Sequence, residues 1–143
     1  MMTTVLFVIG VAVMLAMAAY SVYLLAQLHK QQRLYQQARQ ARVARLKESI
    51  RIIARAMQSG ECNHSEGVIR LKMLLDPLGQ KTLTEYAAMW RLYETVRDMP
   101  THDERRALKK NERMRLDLER EAKEIELEAA IKAEAKLLLS ELP

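Results

Sequence analysis

The stretch VLFVIGVAVMLAMAAYSVYLLAQL, residues 5–28, is 24 residues long and carries no charged side chain. As an α-helix rising about 1.5 Å per residue it reaches roughly 36 Å, more than the ~30 Å hydrocarbon core of a bilayer. It reads as one membrane-spanning helix. Its flanks set the orientation: before Val5 the only cation is the α-amino group, whereas Lys30, Arg33, Arg39, Arg42, Arg45 and Lys47 crowd the exit. Short basic flanks stay in the cytoplasm, so the N-terminus is expected outside and the rest of the chain inside. Tyr20 and Tyr23 fall near the cytoplasmic end, where amphipathic rings sit at headgroup level. A secretory signal peptide cleaved after Ala16-Met17-Ala18 is the competing reading, but the basic n-region is missing and the apolar run continues past that point.

Working outward, charge is distributed unevenly. Residues 29–60 hold eight Lys or Arg and one Glu, while residues 61–100 hold five positive and six negative side chains and residues 101–143 ten and eleven. The net +5 of the chain therefore belongs to the segment after the span. A basic stripe placed there has lipid headgroups as its nearest anion, each basic side chain contributing about 1 kcal/mol close to the surface. Lys30, Arg33 and Arg39 are the expected headgroup contacts, and nucleic acid is not an expected partner.

The single cysteine, Cys62, cannot form an intrachain disulfide, which suits a reducing compartment. Leu, Ala, Met, Arg, Lys and Glu are abundant, while the chain has only 4 Gly and 3 Pro. Strong helix formers with few breakers predict an all-α fold.

Nothing breaks the chain between Leu28 and Met57, so the span should continue into a basic stalk over residues 29–60. Val43, Leu46, Ile50, Ile53 and Met57 form an apolar seam along it, and Gly60 is its expected stop. Residues 61–143 are expected to form a small cytoplasmic helical bundle. Asn63 to Glu66 resembles a capping box opening a helix over 64–76 that turns Val68, Leu71 and Leu75 to one side. Thr82 to Glu85 is a second box, predicting a helix over 83–98 with Tyr86, Met89, Trp90, Tyr93 and Val96 on one face. Thr101 to Glu104 is a third, after which no Gly or Pro appears before Pro143. One helix over 102–141 follows, about 60 Å long. It should lie antiparallel along the stalk and part of it should extend free, with apolar character returning at Ile125, Ala129, Ile131, Leu138 and Leu142.

Few residues carry recognisable chemistry. Cys62, His64 and Glu66 are metal-ligating types, but four ligands make a structural zinc site and no second Cys or His pair lies nearby. Cys62, close to the positive end of a short helix, is a possible reactive thiol of lowered pKa. Trp90 between Tyr86 and Tyr93 suits a core face better than a stacking platform. Arg105, Arg106, Lys109 and Lys110 form a basic patch at the start of the last helix, against its dipole, and are candidates for binding a partner. There is no phosphate loop, nucleophile elbow or dinucleotide fingerprint, so no cofactor or catalytic residue is assigned.

Several stretches carry a family likeness together: the basic-exit span, KESIRIIARAM (47–57), CNHSEGVIRLKMLLDPL (62–78) and MPTHDERRALKKNERMRLDLEREAKEIE (99–126). In that combination the chain resembles a gammaproteobacterial family of single-span inner-membrane proteins, classed as a domain of unknown function. The resemblance implies a bacterial inner-membrane location and supplies no activity. Two functional expectations follow: a membrane-tethered helical interaction or scaffold module, monomeric or loosely dimeric, with a protein partner; or a membrane-associated redox or metal-dependent protein using the Cys62 region.

Overall fold

The computed structural model describes residues 1–142 and contains five α-helices and no strand among them. Helix α1 runs from Met2 to Ser59, α2 from His64 to Leu78, α3 from Ala87 to Val96, α4 from His102 to Ala107 and α5 from Lys110 to Glu141, with a 3₁₀ turn at Leu83–Glu85. The chain divides into two units. The first, Met1–Arg42, is α1 alone, and every residue in it is exposed. It includes an uncharged stretch long and apolar enough to cross a membrane, by length and composition.

The second unit starts at Val43, so the compact bundle begins inside the expected stalk and not at Glu61. The apolar seam explains the difference: Ile50, Ala54 and Met57 are fully buried, and Val43, Leu46 and Ile53 pack against the same core. Gly60 ends α1 at φ +81°, the left-handed region where a residue without Cβ is at ease. The Glu61 amide then returns to the Ala56 carbonyl at 2.9 Å, the Schellman closure of a helix end.

Asn63 caps α2 by accepting from the Ser65 amide at 2.8 Å. Glu66, expected to complete a reciprocal box, instead pairs with Arg70 one turn on. The helix extends past Pro77 to Leu78, and Gly79, at φ +69°, donates back to the Leu75 carbonyl at 3.1 Å. Val68, Leu71 and Leu75 are fully buried, as their spacing predicts. Gly67 sits where α2 meets α1: a Cβ there would lie 2.5 Å from Met57 Sδ and 2.7 Å from Met57 Cγ.

The helix expected over 83–98 is divided. The Thr82 amide does donate to Glu85 at 3.2 Å, but this box closes only the 3₁₀ turn, and Tyr86 is extended at φ −109° and ψ 92°. Leu83 and Tyr86, three apart, are both buried, and a 3₁₀ turn eclipses such a pair onto one side. The buried face of α3 is Met89, Leu92 and Val96; Trp90 and Tyr93 are half-buried beside it, their rings 5.3 Å apart.

The helix expected over 102–141 is also divided, at Leu108 and Lys109, both with extended backbone. No glycine or proline marks the break. Arg105 and Asp117 would stand about 18 Å apart in a continuous helix, yet their side chains meet at 2.7 Å because α4 folds back on α5. The Lys109 amide is then taken by Glu112 at 3.2 Å. In the bundle α5 packs against α3 and α2. Its buried stripe is Leu127, Ile131, Ala135, Leu138 and Leu142; Ile125 is 75% exposed and Ala129 is exposed, so the expected stripe was partly out of phase.

Gly67→Ala should destabilise the bundle by about 1 kcal/mol, because overpacking costs roughly 1–3 kcal/mol and alanine regains about 1 kcal/mol of helix propensity. In a Met57→Ala background the same change should become stabilising. Denaturation of the purified chain, followed through Trp90 fluorescence, reads both; an equal effect in the two backgrounds would show that Met57 is not the obstructing group.

Candidate functional site

Four helices converge on a groove of about 440 Å³. Its apolar floor comes from Ile69 of α2, Val96 at the end of α3, Met99 and Leu116 of α5; His102, Arg105, Asp117 and Arg120 make its polar rim. His102 holds φ +45°, unusual for a residue with a Cβ.

The rim is a chain of paired charges. Arg105 donates to Asp117, Arg120 lies 4.0 Å from the same carboxylate and 3.0 Å from Glu124, and Ser65 donates its hydroxyl to Glu124. A serine beside a carboxylate has the form of a nucleophile and base. Here the Glu124 oxygen that accepts from Ser65 also accepts from Arg120, and Ser65 is only 5% exposed. The hydroxyl therefore ties α2 to α5 and is not presented to a substrate. The Arg105 guanidinium holds the Asp117 carboxyl below its usual range, with burial opposing and Arg120 and Arg113 assisting.

A second polar cluster sits where the 3₁₀ turn meets α3. Both oxygens of Glu134 accept backbone amides, from Ala88 at 2.8 Å and Met89 at 2.9 Å, so α5 supplies the cap that α3 lacks in its own sequence. Seven residues on, Glu141 accepts from the Tyr86 hydroxyl at 2.5 Å and pairs with Lys81 at 3.3 Å. The Tyr86 hydrogen bond holds the Glu141 carboxyl below its usual range; burial opposes it and Lys81 adds to it. Burial, then Glu141, pushes the Tyr86 phenol up. An acidic residue at Glu134, inside the run Ile131 to Leu138, was the sequence signal for this cap.

The residues singled out from sequence fall in different places. Arg105 and Arg106 occupy the last turn of α4, where the helix dipole favours cations, so the expected conflict with the dipole holds only for Lys109 and Lys110. Arg105 is tied to Asp117 and Arg106 approaches Asp103 at 3.5 Å, while Lys109 and Lys110 begin α5, so the patch is split between two helices. Lys30, Arg33 and Arg39 are exposed on α1. Cys62 is half-buried, and burial first, then Glu66, pushes its thiol up against a smaller effect of Arg70, the reverse of an activated thiol. Burial lowers the His64 imidazole, whose Nδ1 is enclosed without a protein partner. No group of three metal-ligating side chains converges among the described residues.

Residues 14–138 match the family described as Protein of unknown function (DUF2489). The chain belongs to that family. An uncharacterized protein of the gammaproteobacterium Haemophilus influenzae is 55% identical over 141 residues, covering 99% of this chain and 96% of the relative. No solved structure matches the chain.

Glu134→Ala should cost about 2 kcal/mol, since two charge-assisted hydrogen bonds to amides at a helix start are lost. Glu134→Gln, which keeps one acceptor, should cost about half as much by the same comparison. Thermal denaturation at neutral pH measures both. Acid should weaken the bundle in two stages. His64 is lowered in the fold, so its contribution is present above its ordinary 6.5 and lost as pH falls through the folded value; Glu141 behaves likewise below its ordinary 4.5. In melts across pH 3 to 8, His64→Gln should flatten only the upper stage and Tyr86→Phe chiefly the lower one.

Proposed function

We propose that the chain is a membrane-anchored helical interaction module of the bacterial inner membrane, with residues 5–28 crossing the bilayer and the bundle on the cytoplasmic side. The observation that carries this reading is the state of the first unit: 24 uncharged residues in continuous helix, none covered by the rest of the chain. Burial of apolar surface contributes about 25 cal/mol per Å², and this surface finds its cover in lipid. Lys30, Arg33 and Arg39 follow immediately and suit anionic headgroups.

Six polar or charged side chains of the bundle serve to join its helices. Ser65, Asp117, Arg120, Glu124, Glu134 and Glu141 are engaged with one another or with backbone. The anchor supplies location, and the outward faces of the bundle supply recognition. The H. influenzae relative is matched across the apolar segment as well as the bundle, which supports treating the two as one working unit.

Alkaline extraction should leave the full chain in the membrane fraction, and removal of residues 1–28 should release it. Reporters fused after Leu28 and at the C-terminus should both register as cytoplasmic. A mature N-terminus at Ala19 would replace the anchor with a cleaved signal sequence and sink the proposal.

A further inference from the structure

The outer side of α5 carries a second apolar stripe. Met114, Leu118, Ala122, Ile125, Ala129 and Ala133 are all exposed, Leu118 at 60% and Ile125 at 75%, and the line ends at Leu137. At about 100° per residue these positions centre opposite the stripe formed by Leu127, Ile131 and Leu138, which faces the core. Helix α5 is therefore apolar on two sides, and the bundle covers one.

We propose that this outer stripe binds a second copy of the chain, α5 against α5, antiparallel. Side-chain size carries the first argument. The spacing from Met114 to Leu137 is nearly the same read in either direction, so an antiparallel copy sets Leu118 against Ala133 and Ala122 against Ala129, large against small at one end and small against small near the centre. Charge carries the second. Glu121, Glu128, Lys132 and Lys136 border one flank of the stripe, and Arg115, Glu119 and Glu126 the other. Antiparallel copies meet like flank to like flank, which brings Glu121 within reach of Lys132 of the other copy, twice by symmetry, against a single approach of Glu126 to its own counterpart. A parallel copy would set Glu121 beside Glu126 and Lys110 beside Arg115, like against like.

Area decides the strength. A contact about 34 Å long and about 10 Å wide buries roughly 700 Å² over both copies, well below the ~1,600 Å² of a stable soluble complex. Alone it is weak. The contact rests for its occupancy, though not its geometry, on the anchoring proposed above, since two copies held in one membrane meet at a high effective concentration.

The test uses the full-length chain in its own membranes, with Cys62→Ser as background and a short bis-maleimide as the probe. Leu118→Cys on one tagged copy should join Ala133→Cys on a differently tagged copy, and neither should join itself; Ile125→Cys, near the centre, should join itself. Adding Ile125→Asp to the Leu118→Cys and Ala133→Cys pair should reduce its product to the level of an Arg91→Cys control on α3, with the fold intact because Ile125 is outside the core. Self-joining of Leu118→Cys and Ala133→Cys would mean parallel packing and overturn the proposal. Adducts solely to other proteins, or no product above the control, would overturn it equally. Recovery of the expected dimer from the soluble fraction would uphold the contact and remove the anchoring.

Discussion

The bundle depends on the close approach of α1 to α2 at Met57 and Gly67. A helix that leaves an apolar, uncovered segment must still bury its far end if the following residues are to have a core. The missing Cβ at residue 67 lets the Met57 thioether lie directly on the α2 backbone. Ala54 and Ile50, one and two turns back, are buried along with Val68 and Leu71. The same helix α1 is thus dressed for two surroundings, uncharged and exposed at its start and seamed with core residues at its close.

Much of this was legible because it is local. Gly60 and Gly79 stop their helices where the apolar spacing runs out, and the seam from Val43 to Met57 announces a packed face. Where reading along the chain failed, a distant residue had intervened. The break at Leu108 and Lys109 has no glycine or proline to mark it, and it places Arg105 against Asp117 twelve residues on. Tyr86 looks like the first face residue of a helix but is a pivot, held open by Glu134 and Glu141 from the far end of the fold. The phase of α5 was ambiguous for a third reason: with apolar residues on two sides, spacing alone cannot say which side meets the core.

The polar network shows how a small core is supplemented. Exposed ion pairs contribute little individually, but those of Arg105, Asp117, Arg120 and Glu124 are joined, and Ser65 brings a buried hydroxyl into the set. They hold α4 and the first turns of α5, where few apolar side chains are buried. Cys62 lies outside this network, and its raised thiol fits a packing role.

Burial along α5 begins in earnest only at Leu127. Its C-terminal half shares the core with α2 and α3, so it opens only with the whole bundle, whereas the half before Leu127 is fastened at its surface by ions that salt and acid loosen. Two levels of local stability therefore exist on a single uninterrupted helix. The first turns can fray and re-form while the core stays shut, which makes that end of α5 the natural place for proteolytic nicking and for slow-exchange protection to fall away first.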